Sequence, residues 1–460
     1  MSSVRELIDS SPMGRPQYSI LILCTAIAMA EGFDILSMSL AVVRLADEWS
    51  LTGSQVGLFL AVGPIGIAVG SLAIGPLADR YGRRSLMVLS MFLLTACMGV
   101  MAFVQNAGQL MTVRVVSGLL MGALIPLIPL LIAEFAPASK KAMSIGIFAI
   151  GAPLGGAVGG AIGAILMSEY GWRALFAFGA AITLAMSIVA LTLIPESPDY
   201  LMTKDSDKAR AQLEQLVTKL KLNQPHKDAH TPVPFTPTRT VPGFPLLTTW
   251  RSSTTVVLTL AMVAVSSCLY FAQLWLPKIL IAAGMSANQG IGGVVLFSLG
   301  SALGGLAFAL ISLRFATLPT AAIFIFSAAV LFAAFSFSTN MLTPAMLISI
   351  LLGVCIQAAY AGLYSAVPLL FAADVRATAM GVAVGFGRVG MIATPLLIGV
   401  LVDGGWNAAR IFLLMVAPAL LAALLIIYLG ASAARRRSEV SGNAIESTDH
   451  VDTRSSSTST

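Results

Sequence analysis

The chain has 460 residues, of which 57% are hydrophobic and 10% charged, with a mean hydropathy of +0.89. Soluble domains carry about 25% charged residues, so this composition excludes a water-soluble globular protein and makes a lipid bilayer the solvent of the fold. The net charge of +6 is then no sign of a nucleic-acid partner, and the placement of the charges matters more than their sum.

Taken in chain order, apolar runs long enough to cross a hydrocarbon core of about 30 Å are predicted at 18–43, 54–77, 85–104, 109–133, 142–167 and 174–194. The first run lacks a small-residue cleavage site, so it is retained as the first span. A polar stretch follows, and its Pro-rich part "HKDAHTPVPFTPTRTVPGF" reads as a linker with one short surface helix near 206–221. Spans resume at 253–281, 289–312, 317–337, 343–371, 377–402 and 409–430. The Ser/Thr-rich tail reads as disordered. The expected organisation is an all-α membrane protein of twelve transmembrane helices: a six-helix bundle over 1–194, a cytoplasmic linker over 195–252, a second six-helix bundle over 253–430 and a tail over 431–460.

Two features of the pattern set orientation and symmetry. Of the 27 Lys and Arg residues, Arg114 and Arg388 fall within spans, and Arg44, Arg173, Lys278 and Arg410 fall on one side. All others fall on the side of the termini, a positive-inside bias that places both termini in the cytoplasm. "PLLIAEFAPASKKAMS" at 129–144 echoes "PLLFAADVRATAMG" at 368–381, and "GWRALF" at 171–176 echoes "GWNAARIF" at 405–412. Repeats about half a chain apart are the signature of transporters built from duplicated bundles.

The charges inside the spans carry the functional question. "EGFDIL" at 31–36 puts Glu31 and Asp34 three residues apart on one helical face. An acid at the centre of a membrane helix costs roughly 2.5–3.5 kcal/mol on insertion scales, so these two should face the bundle interior. Arg114 in the fourth span is placed to meet Asp34 across the first bundle; the bland alternative is a static ion pair that fixes helix packing. Arg388 lies near the midplane of the second bundle, where a substrate carboxylate between the halves can meet it. Its bland alternative is a partner for backbone carbonyls.

His226, His230 and His450 all lie in the linker or tail, which leaves Glu31 and Asp34 as central proton carriers. Two acids so close in a low dielectric do not both ionise readily, which suits proton pickup and release. Tyr270, Tyr360 and Tyr364 carry hydroxyls that need partners when buried, and Gln273 and Gln357 are polar candidates for the same cavity. Cys24, Cys97, Cys268 and Cys355 read as packing residues without a disulfide framework. No metal-ligand cluster, phosphate loop or nucleophile–base motif stands out. The chain reads as no enzyme, with no cofactor beyond the proton as coupling ion.

"GPLADRYGRR" at 75–84 connects the second and third spans. Asp79 is placed to sit at a helix N-terminus, and Arg83 to pair with Glu134; with Arg84 and Arg376 they form a set of cytoplasmic gate or structural residues. This stretch closely resembles the loop 2–3 signature of the major facilitator superfamily. "RVVSGLLMG" at 114–122, "GAPLGG" at 151–156 and "PESPDYL" at 195–201 resemble further signatures of that superfamily, although Asp199 stands where a basic residue is usual. "EGFDIL", "YFAQLWLPKIL" at 270–280 and "VRATAMGVAVGFGRVG" at 375–390 resemble its aromatic-acid:proton symporters, with Glu31 where that family usually has Asp. Some of its members carry an acid and a histidine in loop 8–9, and "SLRFATLPT" has neither.

The resemblance implies proton symport of a benzoate, hydroxybenzoate, chlorinated aryloxyacetate or muconate by alternating access. It further implies a monomer in the bacterial inner membrane, surrounded by lipid, whose partner is a small organic acid. The alternative is a drug:proton antiporter, since "GAPLGG" resembles an exporter pattern, but two arginines inside the spans favour anionic cargo.

Overall fold

The structure is a computed structural model that describes residues 3–204, 206–220, 253–371 and 373–433. Twelve long apolar helices account for most of the described chain, which contains no strand. Before the linker come α1 (Arg15–Glu48), α2 (Gly53–Ala73), α3 (Arg83–Met101), α4 (Ala107–Phe135), α5 (Lys141–Tyr170) and α6 (Trp172–Leu193). After it come α7 (Ser253–Ala282), α8 (Ala287–Ile311), α9 (Thr317–Ser338), α10 (Leu342–Leu370), α11 (Ala373–Asp403) and α12 (Ala408–Ala433). Helices are the natural solution here, because a helix satisfies its own backbone groups where lipid offers no partners.

Several helices, α1, α4, α5 and α11 most clearly, outrun the apolar runs that predict them, whereas α2 ends at Ala73, short of its predicted run. α1 has 34 residues, about 51 Å at roughly 1.5 Å per residue, well beyond a hydrocarbon core. Hydropathy marks only the lipid-embedded part, whereas the hydrogen-bond ladder continues until a cap ends it. Thr52 and Gln55 cap α2 reciprocally, Ser286 and Gln289 do the same for α8, and Asn106 and Asn407 accept at the starts of α4 and α12. The linker helix spans Asp207–Lys219 and a further short helix Ser3–Ser10 precedes α1. The remaining linker residues 221–252 and the tail from 434 lie outside the described residues.

The same neighbours recur in each half. α1 packs on α5 as α7 packs on α11; α2 packs on α4 as α8 packs on α10; α3 packs on α6 as α9 packs on α12. Small residues permit these contacts, as van der Waals packing in lipid requires. A Cβ at Gly155 of α5 would stand 1.9 Å from Met29 O of α1, so only glycine fits that crossing. Between the halves the extensive contacts are α2–α11, α5–α8 and α1–α7, with Ser39 Oγ donating to Leu274 O at 2.8 Å.

With an even number of spans, the start of α1 and the end of α12 emerge on one face of the bundle, called here the terminal face. The opposite side is the far face.

Candidate functional site

A cavity of about 100 Å³ lies between the halves. Its wall from the first half is apolar: Ile35 of α1, Ile67 of α2 and Ile125 of α4. Its wall from the second half carries the polar groups, Tyr270 of α7, Tyr360 and Tyr364 of α10, and Arg388 of α11, together with Ser266, Val384, Gly387 and Met391. Tyr360 and Tyr364 are one helical turn apart, so their rings meet at 5.1 Å and their hydroxyls lie 3.3 Å apart.

Arg388 crosses the interface. Its Nη1 donates to Ile67 O at 2.7 Å and to the Ser71 hydroxyl, both on α2. It makes no ion pair among the described residues. Neither oxygen carries a charge to balance the half-buried guanidinium, which lines the cavity.

The other intramembrane arginine is enclosed. Arg114 Nη1 donates to Asp34 Oδ1 at 2.7 Å, and Nη2 donates to Asp34 O at 3.0 Å. Arg114 is 5% exposed and Asp34 1%. Gly63 of α2 makes room for the guanidinium, since a Cβ there would stand 3.1 Å from Arg114 Nε. A void of about 10 Å³, the size of a water, lies beside Arg114 and shares Ile35, Ile67, Tyr270 and Met391 with the larger cavity. The two arginines therefore look into adjoining spaces. Glu31, 7% exposed, sits one turn before Asp34, and its Oε1 has no hydrogen-bond partner.

A second cluster closes the terminal face of the first half. Arg83 at the start of α3 forms an ion pair with Glu134 near the end of α4, and the Ser197 hydroxyl donates to the same carboxylate. Glu134 is 2% exposed. Arg5 from the Ser3–Ser10 helix donates to the carbonyls of Ala133 and Glu134 at 3.2 and 3.0 Å. Its guanidinium also lies 3.9 Å from Asp199, so the acid that departs from the usual motif has a basic partner here. Arg84 donates through Nη2 to Leu191 O at 2.6 Å, which ties α3 to the end of α6.

The backbone of Asp79 does not itself begin a helix. It lies late in a separate short helix, Gly75–Tyr81. The carboxylate at the start of α3 is Glu196, whose Oε1 accepts from Arg84 N at 2.9 Å. Gly82, with φ of +100°, makes the sharp turn between these helices, a conformation suited to glycine. The side chains of Asp79 and Arg376 lie outside those the structure describes.

Of the remaining candidates, Gln273 and Gln357 are not among the residues lining the cavity. Gln273 is one turn beyond Tyr270 towards the far face, and Gln357 is directed at α8, with Cγ 4.0 Å from a Cβ position on Gly305. Sequence reasoning missed the isoleucine wall, Ser71, Ser197 and Glu196. Isoleucine is too common in membrane spans to stand out. Glu196 carried a signal, because an acid just after a span and next to Ser-Pro suits a capping role.

Comparison with known proteins gives a consistent result. The family model described as Major Facilitator Superfamily matches residues 21–348. The 4-hydroxybenzoate transporter PcaK of Pseudomonas aeruginosa is 27% identical, over 93% of this chain and 95% of that protein. The gallate transporter of Pseudomonas putida is 28% identical, over 92% of this chain and 94% of that one. Among solved structures, the inward-open conformation of the xylose transporter XylE from E. coli superposes with a TM-score of 0.69. It is 17% identical and covers 89% of this chain and 95% of its own.

Proposed function

The chain belongs to the Major Facilitator Superfamily, and from that premise we propose that it imports an aromatic carboxylate together with protons. It is a secondary transporter rather than an enzyme. One observation carries the choice of cargo. The cavity between the halves is apolar on one wall and, on the other, offers three tyrosines and a guanidinium with no acidic partner among the described residues. A flat ring with a carboxylate at one end matches that division: the ring lies against Ile35, Ile67 and Ile125, and the carboxylate meets Arg388. A carboxylate leaving water loses its hydration, and a well-placed cation is what offsets that loss. The relatives that transport 4-hydroxybenzoate and gallate carry cargo of this class.

In this proposal Glu31 and Asp34 carry the proton. Asp34 neutralises Arg114, so protonating it would leave that arginine free to draw the anion through the adjoining void. Glu31 has an unpartnered oxygen that can hold a proton without breaking an existing bond. The terminal face is cytoplasmic, the protein works as a monomer in the bacterial inner membrane, and residues 1–194 and 253–430 rock as two bodies in alternating access. The glycines of "GAPLGG" that suggested an exporter serve helix packing instead, with Gly151 and Gly155 against α1 and Gly156 against α8.

Uptake into proteoliposomes tests the proposal. Benzoate, 4-hydroxybenzoate and muconate should compete for uptake, benzamide should not, and a protonophore should abolish accumulation. Glu31→Gln should keep exchange of cargo across the membrane and lose accumulation against a gradient. Equal competition by benzamide would remove the carboxylate from the recognition scheme, and accumulation by Glu31→Gln would remove Glu31 from coupling.

A further inference from the structure

Asp403, the last residue of α11, reaches from one half of the molecule to the other. Its Oδ1 accepts from Gly53 N at 2.5 Å. Its Oδ2 accepts from Ser54 N at 2.8 Å and from the Ser54 hydroxyl at 2.5 Å. An acid at a helix C-terminus faces the negative end of its own helix dipole, so the position is unfavourable for α11 alone. What favours it is the start of α2, whose first amides have no acceptor within their own helix. Thr52 serves the amide of Gln55, and Asp403 serves those of Gly53 and Ser54. The N-terminus of α2 is thus capped jointly, by a residue of its own half and by a residue of the other.

Beneath this cap the two helices meet backbone to backbone. A Cβ on Gly399 would stand 2.4 Å from Gly53 O, and one on Gly57 would stand 2.5 Å from Pro395 O. These close backbone crossings define a seam between the halves at the far face. The three hydrogen bonds to Asp403 are the directional contacts that hold the top of that seam. All three must break if α2 and α11 part there.

We propose that Asp403 is the latch of the far-side gate: a carboxylate of the second half that caps a helix of the first and holds the far face shut until the cycle opens it. It touches neither the cavity nor the cargo and acts by positioning α2 against α11. It is exposed to solvent, so water competes for its bonds and the latch can be released. The proposal rests on the alternating-access reading but not on the identity of the cargo.

The test uses the full chain in proteoliposomes, with Val402→Cys as a reporter. Val402 lines the seam, with its Cβ 3.0 Å from a Cβ position on Gly53. A membrane-impermeant thiol reagent is applied from the far side, and the chain without the reporter gives the background from the native cysteines. Asp403→Ala should raise the labelling rate by roughly three- to tenfold, the range expected for charge-assisted bonds at a solvated site. Asp403→Asn keeps an oxygen for the amides and should fall between Asp403→Ala and the parent. Ser54→Ala loses only the hydroxyl bond and should show the smallest rise.

A second reporter, Met98→Cys, is buried inside the first half and should label no faster in any of these backgrounds. A parent-like labelling rate at Val402→Cys in the Asp403→Ala background would overturn the latch. So would an equal rise at Met98→Cys, which would mean general loosening. If saturating 4-hydroxybenzoate and an imposed proton gradient both left parent labelling at Val402→Cys unchanged, the alternating-access reading would fail, and the latch with it.

Discussion

Arg114 and Arg388 are the same residue in opposite circumstances. Arg114 is closed in by Gly63 and by both the carboxylate and the carbonyl of Asp34. Arg388 stands on the cavity wall and, among the described residues, is held by a carbonyl and a hydroxyl. The first charge is balanced before any cargo arrives, so it adds little to the attraction for an anion. The second brings an uncompensated positive charge to membrane depth, an expensive arrangement that marks functional sites. A buried ion pair stabilises the fold only weakly in itself, but removing one partner is strongly destabilising. The two arginines should therefore fail in different ways.

The largest effect is expected at the enclosed pair. Arg114→Met leaves Asp34 buried without a counter-charge, and breaking a buried pair in this way costs about 3–5 kcal/mol. The amount of folded protein recovered from the membrane and its melting temperature should both drop steeply. The double replacement Arg114→Met with Asp34→Leu removes both charges and should restore most of the stability while leaving accumulation of cargo abolished. A single variant as stable as the parent would show that Arg114 is not enclosed as described.

At the cavity the expectation reverses. Arg388→Gln should fold normally and lose about a hundredfold in affinity for cargo, ~2.7 kcal/mol, within the range for hydrogen bonds to charged groups. Arg388→Lys keeps the charge but loses the planar fork that suits a carboxylate, so a loss of roughly tenfold is expected. Equilibrium binding to purified protein, read beside a melting curve, separates the two kinds of failure. Unchanged affinity in Arg388→Gln would move the carboxylate site to Arg114, against the contrast drawn between them.

Much of this contrast was legible in the sequence, because a charge within an apolar span demands an explanation. Glu31, Asp34, Arg114 and Arg388 stood out for that reason, and the twelve spans followed from hydropathy alone. What was not legible belongs to groups without a sequence signature. Ile67 O, the acceptor for Arg388, is a backbone atom like any other, and the isoleucine wall is made of residues found in every span. Gln273 and Gln357 looked suitable by polarity, but a polar side chain on a helix is placed by its angle to the neighbours, which one sequence does not reveal. Asp403 was overlooked although its position at the end of a helix was a usable sign: an acid there needs a partner outside its own helix. Glu196 was overlooked similarly, because the neighbouring motif drew attention to Asp79.

The smallest effect is expected at the tyrosine pair, and it sharpens the comparison most. The hydroxyls of Tyr360 and Tyr364 are 3.3 Å apart, a long and therefore weak hydrogen bond, and both residues line the cavity wall that holds Arg388. Tyr360→Phe keeps the ring and removes one neutral donor. A neutral hydrogen bond contributes about 0.5–1.5 kcal/mol, so affinity should fall by roughly two- to tenfold. Because the hydroxyls act as a pair, Tyr364→Phe should cost a similar amount, and the double variant should cost less than the sum of the two, as expected for coupled neighbours. The guanidinium should outweigh both. If Tyr360→Phe weakened binding more than Arg388→Gln did, the anchor of the cargo would be the tyrosine pair. The difference between the two arginines would then concern only how the halves are held together, with Arg388 joining α11 to α2 much as Arg114 joins α4 to α1.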